Sequence, residues 1–343
     1  MQSAPLSSKD ASIHTLTPVQ LSIIYVNWNS LDYLRESIAS VHQFTHATQF
    51  EIIVVDNASP EGGIDLISQA FPQVIVIKSP RNLGFAGANN LGFAHSTGEY
   101  ILLLNPDTQL FEPSIDIMMD RARKLPNAGI IGCKLLNTDR SVQLTSIQSF
   151  PNLVNQVLDA EILLTKFPNS RLWGTGPLFE EGVDTLPVQV ITGACMLMRR
   201  EVFEQVGRYS EDYFMYAEDL DLNHKVAKRG LTNYYVGATS LVHYGGRSSS
   251  RQCVSHWATV MKYKAMVLYF RKTHGRIYEW LYRTAIAASA MLRIMLLLLM
   301  RPFANVLWDK NSLSFSSAKW KAVLKWALGD FSPAKPVNSA VSE

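Results

Sequence analysis

The chain has 343 residues, of which 47% are hydrophobic and 18% are charged. This composition is that of a folded globular protein and excludes an intrinsically disordered chain, and the length allows a large domain with an appended region. The formal net charge is +3, but it is divided unevenly. Residues 1–250 carry 18 Lys and Arg against 25 Asp and Glu, whereas residues 251–343 carry 14 against 4. The basic C-terminal region is expected to face a polyanion, either a nucleic acid or an anionic membrane.

The cysteines and the N-terminus indicate a cytoplasmic protein. The three cysteines are widely spaced and form no CxxC pattern: Cys133, Cys195 and Cys253. This pattern argues against a disulfide framework or a zinc site and is typical of a reducing compartment. The first twenty residues contain no apolar segment of a secretory signal. We therefore divide the chain into a flexible N-terminal tail (1–18), a folded domain (19–252) and a basic, apolar helical region (253–343).

The first hundred residues alternate between apolar runs and helical patterns. The runs predicted to be strands lie at 21–29, 50–59, 74–79 and 100–107. Helical spacing predicts a helix over 31–43, and Gly- and Asn-rich "PRNLGFAGANNLGFAHSTGE" predicts a turn that leads into another helix. Continuous apolar runs are typical of strands buried on both faces. The alternation predicts an α/β fold with a mostly parallel sheet.

Polar side chains follow three of the predicted strands. Asn27 and Asn29 follow the first, Asp56 the second, and Asn105 and Asp107 the strand in "YILLLNPDTQL". Ligands of open α/β sheets bind at the carboxyl ends of the strands. Any one of these residues is explained more simply as a turn former or a helix cap. Three such strand ends together favour a binding site.

Asp107 is a candidate ligand for a divalent cation, since Mg²⁺ typically takes one or two carboxylates together with phosphate oxygens. A single Asp needs a partner, and "LVHYGGRSSS" offers His243, although histidine binds hard cations less readily than carboxylate does. A turn-forming Asp107 and a histidine without ligand function remain the alternatives.

Three acids are candidates for a general base. The segment "YAEDLDLNHKVAKRG" contributes Glu218, Asp219 and Asp221. These acids either stabilise a helix N-terminus or supply a general base, and their spacing does not choose among them.

The C-terminal region contains an aromatic, basic helical stretch followed by an apolar run over 284–300, in which Arg293 is the one charge. A membrane-spanning helix needs about 20 apolar residues. The run is short and interrupted, so we expect a helix in the membrane interface or a short re-entrant hairpin rather than a clean span. A buried core helix is the alternative. The surrounding Lys and Arg, with Trp280, Trp308, Trp320 and Trp326, favour the membrane surface over the core helix. The Leu and Met run and the scattered basic residues favour a lipid headgroup over nucleic acid as the anion.

Seven segments appear in the order in which they occur in the family-2 inverting glycosyltransferases of the GT-A fold. They are "IIYVNWNS", "VVDNAS", "NLGFAGANNLG", "LLLNPDT", "TGACMLMRREVFEQVG", "YFMYAEDLDL" and "HYGGRS". The chain resembles this family over about residues 20–250, and within it the rhamnosyltransferase-like branch. The resemblance implies a Rossmann-like, mostly parallel sheet flanked by helices. To this we add a C-terminal helical extension that associates with membranes.

The resemblance also implies roles for individual residues. The nucleotide-sugar is expected to contact Asn29, Asp56, Arg81, Asn82, Gly84, Asn105 and Asp107. The metal, Mg²⁺ or Mn²⁺, is expected on Asp107 and His243, because "NPD" retains only the last acid of the family's DxD motif. Asp219 is the expected base, with Glu218 orienting it or the acceptor. The sugar and acceptor region is expected at Thr192, Gly193 and Ala194.

The implied reaction is a single displacement that transfers one sugar from a dTDP- or UDP-sugar, with L-rhamnose from dTDP-rhamnose the expected donor. The acceptor is expected to be a polyprenyl-linked or growing surface glycan, reached from the cytoplasmic face of the plasma membrane. No QxxRW motif of the processive synthases is present, and the glycine spacing does not match the GxGxxG of a dehydrogenase. A non-catalytic nucleotide-sugar-binding scaffold remains the alternative function. A homo-oligomer formed through the C-terminal helices is also possible.

Overall fold

A computed structural model describes residues 19–158, 161–245, 256–300 and 310–329. The strands are β1 (Leu21–Asn27), β2 (Phe50–Asp56), β3 (Ile75–Lys78), β4 (Tyr100–Leu104), β5 (Thr108–Gln109), β6 (Ala128–Leu136), β7 (Ile147–Gln148), β8 (Thr185–Val188), β9 (Val190–Ile191), β10 (Cys195–Arg199) and β11 (Thr232–His243). The helices are α1 (Leu31–Phe44), α2 (Asp65–Ala70), α3 (Gly84–Ala94), α4 (Ser114–Lys124), α5 (Leu153–Val157), α6 (Glu161–Lys166), α7 (Arg200–Gln205), α8 (Glu218–Lys228), α9 (His256–His274), α10 (Arg276–Met300) and α11 (Lys310–Ala327). A short 3₁₀ helix lies at Gly176–Phe179.

A nine-stranded sheet has the order β3–β2–β1–β4–β10–β6–β11–β5, and β8 also pairs with β11. Strands β1 to β4, β6 and β11 run in one direction, while β5, β8 and β10 run against them. This arrangement confirms the predicted α/β fold with a mostly parallel sheet. Strands β7 and β9 form a separate two-stranded sheet.

The apolar runs that predicted the central strands are buried on both faces of the sheet. Along β1, Ile23 packs into one hydrophobic cluster and Ile24 into the cluster on the other face. Helix α1 contributes Leu34, Ile38 and Val41 to the Ile23 cluster, as their helical spacing predicted. Each fully buried aliphatic side chain contributes about 1.5–3 kcal/mol to the stability of the fold. The two clusters therefore favour the strand directions and register that keep these side chains buried.

The strand directions bring the predicted polar residues to one edge of the sheet. Parallel pairing places Asn27 beside Asp56 at the ends of β1 and β2. Antiparallel pairing places Cys195, at the start of β10, opposite Leu104 at the end of β4. Strand β11 runs in the same direction as β4 and ends at His243. Segments that are far apart in the sequence therefore meet at the carboxyl edge.

The C-terminal helices pack against the domain that carries the sheet. Tyr269 from α9 and Tyr282 from α10 share a hydrophobic cluster with Tyr213 and Leu220. Helix α10 is continuous, so the re-entrant hairpin considered for 284–300 is wrong. The sequence from Arg276 to Met300 contains no Gly or Pro that would break the helical hydrogen bonds. By length and composition, α10 is the one described helix that is apolar enough to cross a membrane.

Several predictions fall on parts of the chain outside the described residues. These are the tail at 1–18, the boundary between 252 and 253, Cys253, Trp308, and the Gly- and Ser-rich loop after Gly245.

We expect Gly84→Ala to destabilise the fold far more than Gly62→Ala. Both glycines have a left-handed backbone, with φ of +72° and +67°. A Cβ at Gly84 would lie 2.4 Å from the backbone oxygen of Phe214, whereas a Cβ at Gly62 would meet nothing within 4 Å. Chemical denaturation should show a loss of about 1 kcal/mol for Gly62→Ala and about 3 kcal/mol for Gly84→Ala. Equal losses would show that the contact with Phe214 does not constrain this turn.

Candidate active site

The first part of the candidate site lies at the ends of β1 and β2. Asp56 Oδ1 accepts hydrogen bonds from Asn27 Nδ2 at 2.9 Å and from Ser59 Oγ at 2.6 Å. Ser59 Oγ also accepts from the backbone N–H of Asn29 at 3.1 Å. Asn29 has a φ of 53°, in the left-handed region that asparagine tolerates better than most residues. Because both bonds reach the same oxygen, the Asp56 carboxylate is held in one orientation.

The turn before α3 is built by asparagine side chains. Asn57 Nδ2 donates to Asn82 Oδ1 at 3.0 Å and to the Gly84 carbonyl at 3.2 Å, while its Oδ1 accepts from Leu83 N at 2.8 Å. Asn82 Oδ1 also accepts from the Gly84 N–H at 2.8 Å. The predicted Asn82 and Gly84 therefore shape the backbone here. Arg81 is exposed beside them.

The second part of the site contains the predicted metal pair. Asp107 is buried, and its Oδ1 lies 3.4 Å from His243 Nε2. Asn105 Nδ2 lies 3.3 Å from the same nitrogen, although the two residues are 138 positions apart. The backbone N–H of Tyr244 donates to the Asp107 carbonyl at 2.9 Å, which holds the end of β11 against this turn. The topology thus brings Asn105, Asp107 and His243 together.

Gln143 fixes the orientation and the tautomer of His243. Gln143 Nε2 donates to the His243 carbonyl at 2.8 Å, so its Oε1 is the atom that faces His243 Nδ1, at 2.9 Å. The hydrogen-bond network therefore assigns the proton to Nδ1, so that Nε2, which lies beside Asp107, carries the lone pair and accepts from Asn105 Nδ2 at 3.3 Å. Histidines that ligate metals use this arrangement, in which the second nitrogen donates to a protein acceptor. Gln143 carried no signal in the sequence, because it lies in no motif and is 100 positions from His243.

The residues around Asp107 fit a divalent cation. The described residues contain no group of three or more His, Cys, Asp and Glu that would hold a metal alone. Asn105 Oδ1 adds a third donor, since it is buried and has no hydrogen-bond partner among the described residues. A buried carbonyl oxygen without a partner costs about 1–3 kcal/mol. Asp107, His243 and Asn105 thus form an incomplete ligand set whose remaining positions suit phosphate and water oxygens.

The segment Thr192–Ala194 connects this group to the acids of α8. The Ala194 carbonyl accepts from the backbone N–H of Asn105 at 3.0 Å. The backbone N–H of Gly193 donates to Asp219 Oδ2 at 3.0 Å. Gly193 also lets the backbone of this segment lie close to the Asp219 side chain, because a Cβ at position 193 would be only 3.3 Å from Asp219 Cβ. The three residues predicted for the sugar and acceptor region therefore lie between the metal ligand set and Asp219.

The structure separates the three acids that spacing left equivalent. Asp221 accepts from Ser210 Oγ at 2.6 Å and lies 3.4 Å from Lys225 Nζ, so it holds the preceding loop in place. Asp219 Oδ1 accepts from the Leu220 N–H at 2.8 Å, in addition to the bond from Gly193. Glu218 is buried, and its Oε2 has no partner within the described part of the chain. Glu218 and Asp219 are therefore the two acids that remain for chemistry.

Burial gives these two carboxyl groups unusual proton affinities. Desolvation raises the pKa of Asp219, while hydrogen bonds from backbone N–H groups oppose that rise. Desolvation, followed by the charge of Asp219, raises the pKa of Glu218 to about 8. Adjacent buried carboxyl groups do not readily ionise together. Glu218 therefore keeps its proton at neutral pH, and because the charge of Asp219 contributes to that raised pKa, Asp219 is the more acidic member of the pair. Such a separation of acid and base roles is what active sites use.

A strained turn precedes the two acids. Tyr216 and Ala217 both adopt left-handed backbone conformations, with φ of 70° and 61°. Such conformations cost about 1–2 kcal/mol per residue and persist where the surrounding structure enforces them. Ala217 is buried in the hydrophobic cluster that also contains Tyr269 and Tyr282, so the C-terminal helices support this turn.

Comparison with known proteins places this arrangement in a family. The profile of glycosyl transferase family 2 matches residues 22–207. The N-acetylglucosaminyl-diphospho-decaprenol L-rhamnosyltransferase of Mycobacterium tuberculosis is 30% identical over 285 residues, covering 80% of this chain and 91% of that protein. The rhamnosyltransferase WbbL of Escherichia coli is 25% identical over 240 residues, covering 65% and 82%.

Solved structures show the same fold. The mannosyltransferase PcManGT from Pyrobaculum calidifontis, in complex with GDP-Man and Mn²⁺, aligns with a TM-score of 0.55 at 17% identity, covering 92% of this chain and 89% of that one. GalNAc-T7 with UDP, GalNAc and Mn²⁺ aligns with a TM-score of 0.51 at 15% identity, covering 66% and 44%. These alignments confirm the predicted GT-A fold. The sequence match over residues 22–207, together with the 30% identity to the mycobacterial protein, shows that this chain belongs to glycosyl transferase family 2.

Proposed function

We propose that the protein is a metal-dependent, inverting glycosyltransferase that moves one L-rhamnose from dTDP-rhamnose to a lipid-linked or growing surface glycan. The observation that carries the proposal is the Thr192–Ala194 segment, whose backbone joins the residues around Asp107 to the partly buried acid Asp219. The mycobacterial relative supports these donor and acceptor classes, since it is a rhamnosyltransferase whose acceptor is a lipid diphosphate sugar. A UDP-sugar is the alternative donor.

The donor nucleoside would occupy the end of β2. The Asp56 carboxylate, oriented by Asn27 and Ser59, suits the ring N–H of a thymine or uracil base. Asn29 would line the same pocket. The turn at Arg81, Asn82 and Gly84 would border the nucleotide, with the exposed Arg81 supplying positive charge near the diphosphate.

The diphosphate would lie beside Asn105, Asp107 and His243, which are the residues to hold Mg²⁺ or Mn²⁺. When bound, such a cation offsets the negative charge of the leaving diphosphate. The chain itself contributes the Nε2 lone pair of His243, which Gln143 orients, and the carboxylate of Asp107, whose backbone carbonyl accepts from the Tyr244 N–H. Because this set is incomplete, the metal should bind weakly until the diphosphate adds its oxygens.

Asp219 would act as the base. It would take the proton of the acceptor hydroxyl, whose oxygen would form the new bond to the anomeric carbon as the bond to the diphosphate breaks on the opposite side. The backbone N–H groups of Gly193 and Leu220 fix the orientation of the carboxylate. The raised pKa of Asp219 makes it a stronger base than an exposed carboxylate. The protonated Glu218 would donate a hydrogen bond that orients the acceptor.

The acceptor class sets the proposed location. A lipid-linked acceptor and a cytoplasmic nucleotide-sugar meet at the inner face of the plasma membrane, where the basic C-terminal region would attach peripherally.

The alternative function is a non-catalytic scaffold, which would need a nucleotide pocket but no base. The desolvated pair Glu218 and Asp219 costs stability without serving nucleotide binding, which argues against that alternative.

We expect Asp219→Asn to lower transfer by about 10²–10⁴-fold, because the base is lost while the shape of the side chain is kept. Transfer from dTDP-rhamnose to a polyprenyl-diphosphate sugar should be followed by mass spectrometry. The stabilisation of the variant by dTDP and Mn²⁺ in a thermal-shift assay should match that of the wild type. Asp212→Asn, at an exposed acid near α8, is the control and should keep full activity. Full activity of Asp219→Asn with every donor tested would refute this role.

We expect Glu218→Gln to remove the alkaline decline in kcat/KM. In the wild type this decline should occur near pH 8, where Glu218 loses its proton beside Asp219. The same shift affects stability. The folded state retains a proton that the unfolded chain releases near pH 4.5, so the free energy of unfolding falls as the pH rises from 4.5 towards 8. Glu218→Gln should therefore raise the melting temperature at pH 7.5 but not at pH 4. An unchanged pH profile would contradict the assignment.

We expect Gln143→Ala to weaken Mn²⁺ binding by about 10–100-fold, because His243 loses the acceptor that fixes its tautomer. Titration calorimetry with Mn²⁺ in the presence of dTDP measures this without turnover. Gln148→Ala, at a neighbouring glutamine that does not contact His243, is the control. The wild type should bind Mn²⁺ far more weakly without dTDP. Tight binding by the nucleotide-free protein, or equal affinities of the two variants, would exclude the ligand set.

A further inference from the structure

Helix α10 carries a long apolar surface that no described part of the chain covers. We call it the outward stripe and define it by residues that recur at helical spacing: Ile277, Leu281, Ala288, Leu292, Met295 and Leu299. All six are exposed, and no exposed position between Ile277 and Leu299 carries a charge. Soluble proteins rarely expose a continuous apolar patch of this length, and such patches mark interaction sites.

Arg293, the one charge in the apolar run, faces the protein rather than the outward stripe. Its Nη2 donates to the Val157 carbonyl at 3.1 Å, and its Nη1 donates to Ser289 Oγ at 2.7 Å. Its guanidinium also lies 4.3 Å from the ring centre of Trp320. The charge that interrupts the sequence therefore does not interrupt the exposed surface.

The opposite face of α10 is committed to the protein core. Tyr282, Ile286 and Ala290 are buried in the cluster that contains Tyr213 and Leu220. A helix crossing a bilayer would have to withdraw this face from the core that supports the turn before Glu218. A helix lying in the plane of the interface keeps its inner face packed and buries only the stripe.

The surroundings of the stripe favour an anionic partner. Residues 256–300 and 310–329 contain 11 Lys and Arg and one acid, Glu279. Glu279 accepts a hydrogen bond from Arg271 at 2.8 Å, so the one acid of these helices is paired. Helix α5 packs beside α10 and also exposes an apolar side chain, Val154. An exposed apolar strip on helices whose charged residues are almost all basic matches the interface of an anionic bilayer.

We infer that the outward stripe lies flat in the interface of an anionic bilayer and attaches the enzyme to the membrane without spanning it. The function of this attachment rests on the proposed lipid-linked acceptor, but the argument for the membrane-binding surface does not. Because the inner face of α10 shares a core with Tyr213 and Ala217, helix α10 and the turn that presents Asp219 form one packed unit. The acids are thereby held at a fixed distance from the lipid surface on which the acceptor is carried.

Vesicle flotation of the purified full chain tests this surface. Wild-type protein should float with vesicles of phosphatidylcholine and phosphatidylglycerol, and less with phosphatidylcholine alone. Leu292→Glu combined with Met295→Glu should reduce the bound fraction at least tenfold. Leu66→Glu is a matched control in α2, since Leu66 is 54% exposed, against 53% for Leu292 and 52% for Met295. Circular dichroism should show that both variants are folded. Equal vesicle binding by the stripe variant and the wild type would overturn the inference.

Two further outcomes would also overturn it. A wild-type dimer that the stripe substitutions dissociate, without vesicle binding, would identify a second copy of the chain as the occupant. Resistance of membrane-bound protein to alkaline carbonate would indicate a spanning helix. Failure of the proposed function would look different, because thermal stabilisation by dTDP and Mn²⁺ does not depend on the stripe. Vesicle binding without any response to dTDP would refute the rhamnosyltransferase proposal and leave the membrane surface supported.

Discussion

The site depends on a short backbone segment, Thr192–Ala194, which is hydrogen-bonded on both sides. The Ala194 carbonyl accepts from the backbone of Asn105, and the Gly193 N–H donates to Asp219. Asn223 fixes the neighbouring strand, since its side chain bonds both the N–H and the carbonyl of Ile191 and also the carbonyl of Asp219. These bonds set the position of the proposed base relative to the proposed diphosphate end of the site, which a displacement reaction requires to be constant.

This geometry costs stability, and the C-terminal helices offset that cost. The left-handed Tyr216 and Ala217 and the desolvated Glu218 are each unfavourable by themselves. They occur together where Tyr269 and Tyr282 from α9 and α10 complete the adjacent core. The C-terminal region is therefore part of the support of the active site as well as a candidate membrane surface. Helix α10 packs against both α9 and α11, which supports one continuous helix rather than a hairpin.

The sequence was sufficient to predict the features that depend on local patterns. Apolar runs and helical spacing identified the central strands and α1, and the polar strand ends predicted which edge of the sheet carries the candidate site. Choosing among the three acids required tertiary contacts, because only the folded chain shows that Asp221 bonds Ser210. Gln143 was not predictable, since its role depends on topology that brings it to His243. The composition of the 284–300 run did not reveal the side of the helix on which Arg293 lies.

The central claim is that the transfer is a single displacement. Asp219 acts as the base, and a metal ion held beside Asp107 offsets the charge of the leaving diphosphate. The most direct test is the anomeric configuration of the transferred sugar, determined by nuclear magnetic resonance on the product formed from a donor of known configuration. The account predicts an inverted configuration and one sugar added to each acceptor, because Asp219 removes a proton and never bonds to the sugar. A product with retained configuration would require a covalent or otherwise two-step reaction and would contradict the account.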